Sequence, residues 1–334
     1  MKKRLEMKNS FDGNLIYGAR DFNLRTGRSI HLKFREQIIL PNYYSKKTGK
    51  IKSSFTKQRN CPLCNSNDEV LLFTKSGFNH VKCKNCRLVY VNPTLNEEKL
   101  HDLYLDEDSY NKVLMNNLQI ELDRKRFKYN LEIVSSYVEK PGRLLDIGAG
   151  PGIFVQVAKE MGWEPTAIEF NNFCVNRIKS LGIKCIEKTI DEAELPDRSF
   201  DCIVMWAVFE HLINPHKMLE QINRILKQNG ILAILVPNID SLAARIMQEE
   251  CATFSGDTHI NFFNNETLTK ILEMNGFKVL ESETVFSEIS TIKNYLNFDT
   301  TEFGNDIQDF DFLSPKFIHE NLMGYCLITY AKKL

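Results

Sequence analysis

The sequence predicts an α/β fold in which a doubly wound parallel sheet follows a small cysteine-rich module. From residue 143 onward, apolar segments of strand length alternate with segments of helical period, which is typical of a parallel sheet covered by helices on both faces. Two Cys-x-x-Cys pairs precede this region. The 334 residues, 43% hydrophobic and 26% charged, are enough for one large domain or two smaller ones.

Neither a membrane span nor a signal peptide is predicted. No apolar run approaches the roughly 18 residues that are needed to cross a bilayer. The basic start, residues 1–4, is followed by polar residues where a signal peptide would have its apolar segment. We therefore expect a cytoplasmic protein.

The formal net charge of zero hides an asymmetry along the chain. Residues 1–60 contain 15 Lys and Arg against 4 Asp and Glu, and the remainder contains 28 against 39. One interpretation is a basic segment that docks on an acidic body. The other is a segment that meets phosphate, in a nucleic acid or in a nucleotide-linked substrate.

Four cysteines predict a structural zinc site: Cys61, Cys64, Cys83 and Cys86. They form two Cys-x-x-Cys pairs separated by 18 residues, a spacing typical of a zinc ribbon or treble-clef knuckle. Disulfides and a redox pair are the alternatives; a cytoplasmic setting disfavours the first, and the lack of a surrounding βαβ pattern disfavours the second. Four thiolates leave no open coordination position, so the ion would organise the fold without taking part in catalysis.

The remaining elements are predicted in chain order. A hairpin over 69–73 and 78–82 lies between the cysteine pairs, and an amphipathic helix over 118–138 ends at Pro141-Gly142. Strands are predicted at 143–147, 164–169, 183–187, 200–206, 230–236, 277–283 and 324–330, with helices near 152–161, 171–181, 215–228 and 266–275. The predicted regions are a basic extension (1–58), a zinc-ribbon module (59–92), a linker with a short helix (93–117) and the sheet domain (118–334).

A glycine-rich turn follows the first strand of the sheet. Gly148, Gly150 and Gly152 would let the backbone approach a ligand at the strand's carboxyl end. A dinucleotide-binding turn would place its third glycine or an alanine at the position of Ile153, so NAD and FAD are disfavoured. The second strand ends in Glu169, where a carboxylate can accept both hydroxyls of a ribose; the alternative is an acid at a strand end that meets solvent.

Several segments resemble the successive motifs of class I S-adenosylmethionine-dependent methyltransferases: residues 144–152, Glu169, 199–201, Glu210-His211 and 226–238. The resemblance covers residues 120–334 and implies a Rossmann-like, seven-stranded sheet. The cysteine module and Asn92-Pro93 also resemble a bacterial subgroup in which a zinc-binding module precedes the methyltransferase domain. That subgroup is associated with the modification of sugars of surface polysaccharides or natural products.

The resemblance implies a set of cofactor-binding residues. They are Asp146, Gly148 and Gly150 along the methionine part, Glu169 on the ribose, Thr189 and Ile190 beside the adenine, and Trp206 next to the methionine and the transferred methyl. Because the sulfonium of S-adenosylmethionine is already an excellent leaving group, the protein mainly has to align a nucleophile with the methyl and exclude water.

An alcohol acceptor would benefit from a general base, and two histidines compete for that role. His211 follows Glu210 just beyond the fourth strand, and His259 lies in a segment that forms part of the acceptor pocket in similar enzymes. We favour His259; for either residue the alternative is a hydrogen-bonded histidine that stabilises a loop. Asn238, at the end of the fifth strand, is a further candidate acceptor contact.

The predicted function is methyl transfer to a small polar acceptor, a hydroxyl of a sugar or nucleotide-linked sugar in surface-polysaccharide biosynthesis. The first alternative is an RNA methyltransferase, suggested by the basic residues 1–60. Residues 206–211 lack the Asn/Asp-Pro-Pro-aromatic motif of adenine-amino methyltransferases, which argues against it. The second alternative is a non-enzymatic zinc-ribbon interaction protein with a degenerate methyltransferase fold. The intact glycine turn and Glu169 argue against this alternative.

Overall fold

The computed structural model describes residues 2–28, 40–45, 51–105, 108–296 and 313–334, so the predicted basic extension lies partly outside the described residues. The helices are Lys2–Phe11, Gly13–Tyr17, Ala19–Thr26, Glu97–Leu105, Asp108–Leu114, Asn117–Ser135, Ile153–Glu160, Asn172–Ser180, Pro215–Ile225, Leu242–Met247, Asn265–Met274, Ile289–Leu296 and Pro315–Glu320. Within these ranges no helix is both long and apolar enough to cross a membrane.

The strands, numbered in chain order, are β1 (Thr56–Lys57), β2 (Glu69–Lys75), β3 (Phe78–Cys83), β4 (Val89–Val91), β5 (Thr94–Leu95), β6 (Arg143–Ile147), β7 (Glu164–Ile168), β8 (Lys184–Ile186), β9 (Phe200–Trp206), β10 (Leu226–Pro237), β11 (Asn261–Phe262), β12 (Phe277–Val285) and β13 (Cys326–Lys333).

Seven strands form the central sheet in the order β12-β13-β10-β9-β6-β7-β8. Five neighbouring strands of this sheet pair in parallel, namely β10, β9, β6, β7 and β8. β13 runs antiparallel to both of its neighbours, β10 and β12. After β6 the chain adds β7 and then β8 on one side, and it crosses back to place β9 on the other side of β6, so the carboxyl ends of β6 and β9 flank a crevice. The predicted seven-stranded α/β fold is confirmed, but the sheet is mixed because β13 inserts between β10 and β12.

Element boundaries differ from the prediction mainly around β10. The helix that was expected to reach residue 228 ends at Ile225, and β10 begins directly at Leu226. Leu226 is fully buried and pairs with Phe200, so packing against β9 takes these residues into the sheet. The predicted linker over 93–117 contains two helices where one was expected.

The cysteine module belongs to a second sheet, which the sheet domain completes. β2, β3 and β4 form an antiparallel meander, and β11 pairs with β4. Arg59 spans this junction, since its guanidinium donates to the backbone oxygens of Val91 (3.2 Å) and Ile260 (2.6 Å). Leu63 and Tyr90 share one apolar core with β6, β9 and β10. The module is therefore packed into the same core as the central sheet.

The basic N-terminal segment docks on the sheet domain over residues 2–28. Lys8 forms a buried ion pair with Glu283 at 2.7 Å. Asp12 accepts hydrogen bonds from the backbone N–H and the hydroxyl of Ser287 at 2.7 and 2.8 Å. These contacts support the docking interpretation of the charge asymmetry for this part of the segment.

Candidate functional site

Four cysteine sulfurs converge at the end of the second sheet. The Sγ atoms of Cys61 and Cys86 are 3.4 Å apart, those of Cys64 and Cys83 are 3.5 Å apart, and all four lie within 4.8 Å of one another. These separations suit four thiolates around one ion at metal–sulfur distances of about 2.3 Å. All four are free cysteines, so the structure gives no support to the disulfide alternative.

The two turns that carry the cysteines are built alike. The backbone N–H of Asn65 donates to the Cys61 carbonyl at 2.8 Å, and that of Arg87 donates to the Cys83 carbonyl at 3.0 Å. Asn65 and Arg87 have φ angles of 59° and 67°, which turn the chain back after each pair. The hydrogen bond between the Cys61 and Cys86 thiols lowers the pKa of Cys61 and raises that of Cys86, because one proton lies between the two sulfurs.

The glycine turn lies at the carboxyl end of β6, beside the crevice between β6 and β9. All three of its glycines have positive φ. A Cβ atom at Gly148 would lie 2.6 Å from Val208, and one at Gly152 would lie 2.5 Å from Ile178. At Gly150, by contrast, no described atom would lie within 4 Å of the added carbon. The backbone at Gly150 therefore borders open space, as a cofactor cradle requires.

Asp146 is the buried acid beside this turn. Its side chain is 1% exposed, and neither carboxylate oxygen has a hydrogen-bond partner among the described residues. Burial, reinforced by the charge of Glu169, raises the pKa of Asp146 well above its ordinary value. A ligand with positive charge would compensate this carboxylate. S-adenosylmethionine carries an ammonium group and a sulfonium, so Asp146 and the open space at Gly150 fit that cofactor.

Glu169 directly follows β7, and most of the acceptor positions of its carboxylate bind backbone N–H groups. Its Oε2 accepts the N–H of Gly150 at 2.7 Å, and its Oε1 accepts those of Phe170 and Asn171 at 2.8 and 2.9 Å. Burial raises the pKa of Glu169, although these three hydrogen bonds oppose the shift. A carboxylate has about four acceptor positions, so one is left for a ribose hydroxyl. From the sequence we expected Glu169 to accept both hydroxyls of a ribose, and these backbone donors were not predicted.

The other three predicted cofactor residues make contacts within the protein. Thr189 bonds through both its N–H and its hydroxyl to Glu192, at 3.2 and 2.9 Å. The Ile190 side chain is buried in the core shared with β6 and β9. Trp206, the last residue of β9, packs against Phe127 with ring centroids 6.0 Å apart.

The two candidate histidines come together at the same edge of the sheet. The ring centroids of His211 and His259 are 5.1 Å apart. The Nδ1 atom of His211 lies 2.9 Å from the carbonyl oxygen of Thr258, and that of His259 lies 3.1 Å from the carbonyl oxygen of Thr253. A carbonyl oxygen can only accept, so these contacts place the proton on Nδ1 and make Nε2 the basic nitrogen of each ring.

Glu210 joins the histidines and is a functional candidate that the sequence argument missed. Its Oε1 lies 3.7 Å from Nε2 of His211, and neither of its oxygens has a hydrogen-bond partner within the described part of the chain. Burial raises the pKa of Glu210 to about 8, so it can exchange a proton near neutral pH. In the sequence, Glu210 could have been recognised as a candidate because it is a lone acid directly after the apolar segment 203–209.

Asn238, the further candidate acceptor contact, makes its hydrogen bonds within the protein. Its amide group donates to the carbonyl oxygens of Leu322 and Gly324 at 2.8 and 3.0 Å. Its Oδ1 accepts the backbone N–H of Asp240 at 3.1 Å. The side chain is buried and closes the turn after β10, so these contacts give no support to a role in acceptor binding.

Comparison with known proteins yields a family and several relatives. A sequence model described as a methyltransferase domain matches residues 122–282. An uncharacterised protein of Methanocaldococcus jannaschii is 27% identical over 167 residues, which cover 50% of this chain and 79% of that protein. A demethylmenaquinone methyltransferase of Thermotoga maritima is 26% identical over 195 residues, which cover 51% of this chain and 84% of that protein.

Two further proteins are described as S-adenosylmethionine-dependent methyltransferases. One, a probable enzyme of Mycobacterium tuberculosis, is 28% identical over 143 residues, covering 40% of this chain and 48% of that protein. The crystal structure of the other, from Archaeoglobus fulgidus, has a TM-score of 0.47 and 22% identity, covering 69% of this chain and 99% of that one. By the family match over residues 122–282, the chain carries a class I S-adenosylmethionine-dependent methyltransferase domain, preceded by an N-terminal four-cysteine cluster.

Proposed function

We propose that this protein transfers a methyl group from S-adenosylmethionine to a hydroxyl of a sugar or nucleotide-linked sugar in surface-polysaccharide biosynthesis. The observation that supports a hydroxyl acceptor is the cluster of Glu210, His211 and His259 at the carboxyl edge of the sheet. A neutral hydroxyl is a weak nucleophile and gains most from such a base. The sugar class rests on the resemblance of the cysteine module and Asn92-Pro93 to the bacterial subgroup described above.

S-adenosylmethionine supplies an activated methyl group when it is bound. Asp146 would lie along its positively charged methionine part, and the remaining acceptor position of Glu169 would hold one ribose hydroxyl. Gly150 would leave room for the backbone approach. We keep Gly148, Gly152, Thr189, Ile190 and Trp206 in the proposed cofactor site, with Ile190 acting through its backbone because its side chain is buried.

His259 is the proposed general base. Its Nδ1 contact with the Thr253 carbonyl orients the ring, so that Nε2 can take the proton of the acceptor hydroxyl. Glu210 and His211 lie beside it and can stabilise the imidazolium that forms. His211 is the alternative base, because its ring is held in the same way.

We further propose that the four cysteines hold one structural zinc ion. The cluster supplies four soft donors and no other ligand atom, which matches the closed tetrahedral sites of structural zinc. The basic segment gives little support to an RNA substrate over residues 2–28, since Arg4 and Lys8 are already paired with Glu281 and Glu283.

The direct test of this function is a mass-spectrometric survey of methyl transfer. The purified protein is incubated with S-adenosylmethionine and with nucleotide-linked sugars, free sugars or RNA, and both S-adenosylhomocysteine and the acceptor masses are followed. A sugar that gains one methyl group supports the proposal. Methylation of RNA alone would overturn it.

Replacement of Cys61 by Ser should abolish zinc binding and lower the melting temperature, because three thiolates no longer close the coordination shell. Metal analysis of the wild-type protein should give about one zinc per chain. Cys185→Ser is the matched control, since Cys185 lies on β8 outside the cluster and its loss should leave zinc content unchanged. Wild-type protein that is purified without chelators and contains no zinc would contradict the assignment.

Replacement of Glu169 by Ala should weaken S-adenosylmethionine binding by about 1–3 kcal/mol, the range for losing a charge-assisted hydrogen bond. Gly150→Val should weaken it more, since a branched side chain at positive φ would enter the cradle. Titration calorimetry measures both. Glu187→Ala, at an exposed position next to β8, is the control and should bind normally. Unchanged affinity in both test variants would remove the proposed cofactor site.

Replacement of His259 by Ala should lower kcat about 10²–10⁴-fold while the affinity for S-adenosylmethionine stays nearly constant. In the wild type, kcat should rise with pH across the range in which an imidazole loses its proton, because only the neutral ring can accept one. The pH profile separates a base from a residue that only stabilises a loop. If His259→Ala keeps turnover within a few-fold of wild type and His211→Ala does not, His211 is the base.

A further inference from the structure

Arg28 and Arg126 lie near the carboxyl edge of the central sheet, and the negative charge of their hydrogen-bond partners does not balance their two positive charges. The Arg126 side chain is 12% exposed, and its one ion pair is with Asp123, at 2.9 Å from Nη2 to Oδ1. Arg28 donates at 2.9 Å to the side-chain oxygen of Gln119, a neutral group. The Nε–H groups of both arginines are buried and have no acceptor among the described residues.

The two arginines belong to one hydrogen-bonded network. The side-chain oxygen of Gln119 accepts from Arg28, and its side-chain nitrogen donates to Oδ2 of Asp123 at 2.8 Å. Oδ1 of Asp123 pairs with Arg126. Among the described residues, Asp123 is therefore the one acidic side chain paired with either guanidinium group.

The arginine pair borders the proposed methyl-transfer site. The guanidinium carbon of Arg126 lies 4.3 Å from the centroid of the Phe127 ring, and that ring is 6.0 Å from the ring of Trp206. Trp206 ends β9 at the crevice. Arg126, and through Asp123 and Gln119 also Arg28, therefore lies near the β9 end of the crevice.

We infer that Arg28 and Arg126 form a subsite for an oxyanion on the acceptor. This inference rests on the proposed function and narrows its acceptor to a sugar that carries a phosphoryl or carboxylate group. A guanidinium binds an oxyanion through two parallel N–H donors, and the Nε–H of each arginine has no acceptor among the described residues. A neutral sugar would leave buried positive charge uncompensated, which is costly in a water-poor site.

Anion binding can be measured by calorimetric titration of the zinc-containing full chain saturated with S-adenosylhomocysteine. The probes are uridine diphosphate, inorganic pyrophosphate and glucuronate, with galactose as the neutral comparison. Wild-type protein should bind at least one of the anions and not galactose under the same conditions. Binding of the phosphates alone identifies a phosphoryl source, and binding of glucuronate alone identifies an acidic sugar.

The test variant is Arg28→Gln, which leaves no carboxylate unpaired because Arg28 has no acidic partner among the described residues. It should weaken anion binding by at least about tenfold, as expected for a lost pair of charge-assisted hydrogen bonds. Arg126→Lys should weaken it too, while keeping the charge beside Asp123. The control is Arg124→Gln, on the same helix but paired at the surface with Glu160. It should leave anion affinity within about twofold of wild type if the charge at the surface is screened.

Two outcomes would overturn the subsite. One is a wild-type protein that binds none of the three anions, and the other is an equal effect of Arg28→Gln and Arg124→Gln in proteins with wild-type melting temperatures. Failure of the proposed function is distinguishable from these outcomes. A protein that never binds S-adenosylhomocysteine but, when titrated without it, binds the anions through Arg28 keeps the subsite and loses the methyltransferase role. One that binds S-adenosylhomocysteine and methylates neutral sugars alone keeps the role and loses the subsite.

Discussion

Burial of carboxyl groups at the carboxyl edge of the central sheet is the constraint on which this site depends. Asp146 and Glu210 are each 1% exposed, and none of their oxygens has a hydrogen-bond partner among the described residues. An ionised carboxylate in such surroundings is costly unless it is paired or protonated, so the fold holds both groups at raised pKa. Because an unpaired buried carboxylate is costly, a positively charged ligand is favourable beside Asp146. For the same reason, an imidazole that can exchange a proton is favourable beside Glu210. The proposed cofactor site and the proposed base thus share one physical cause.

The cysteine cluster is connected to this edge through the second sheet. Leu63, between the first two cysteines, is buried, and its carbonyl oxygen lies 2.9 Å from Nε2 of His216 on the helix before β10. β4 continues from the second cysteine turn and pairs with β11. His259 lies two residues before β11, and the carbonyl oxygen of the next residue, Ile260, accepts the backbone N–H of Val91 at 3.0 Å. A metal ion that fixes the cysteine turns would therefore also fix the loop that carries the proposed base.

Local sequence patterns were sufficient for the sheet, the glycine turn and the four cysteines, because each depends on residues that are close together in the chain. They were insufficient where distant segments meet. The insertion of β13 between β10 and β12, the pairing of β11 with β4 and the position of Arg28 all depend on contacts across most of the chain. The occupancy of Glu169 by the Gly150 N–H and the internal hydrogen bonds of Asn238 have the same origin, since neither can be read from residue type or spacing.

The central claim is that the buried carboxylate of Asp146 receives the positive charge of S-adenosylmethionine. Burial raises the pKa of Asp146 above its ordinary value, and a cationic ligand, which favours the ionised form, should lower it again, so binding should release a proton in the pH range between the two values. The most direct test is calorimetric titration with S-adenosylmethionine across a range of pH, in buffers of different ionisation enthalpy, on wild type and Asp146→Asn. We expect wild-type binding to release a proton, and Asp146→Asn to bind more weakly with that release lost. Tight binding with the same proton balance in both proteins would contradict the account.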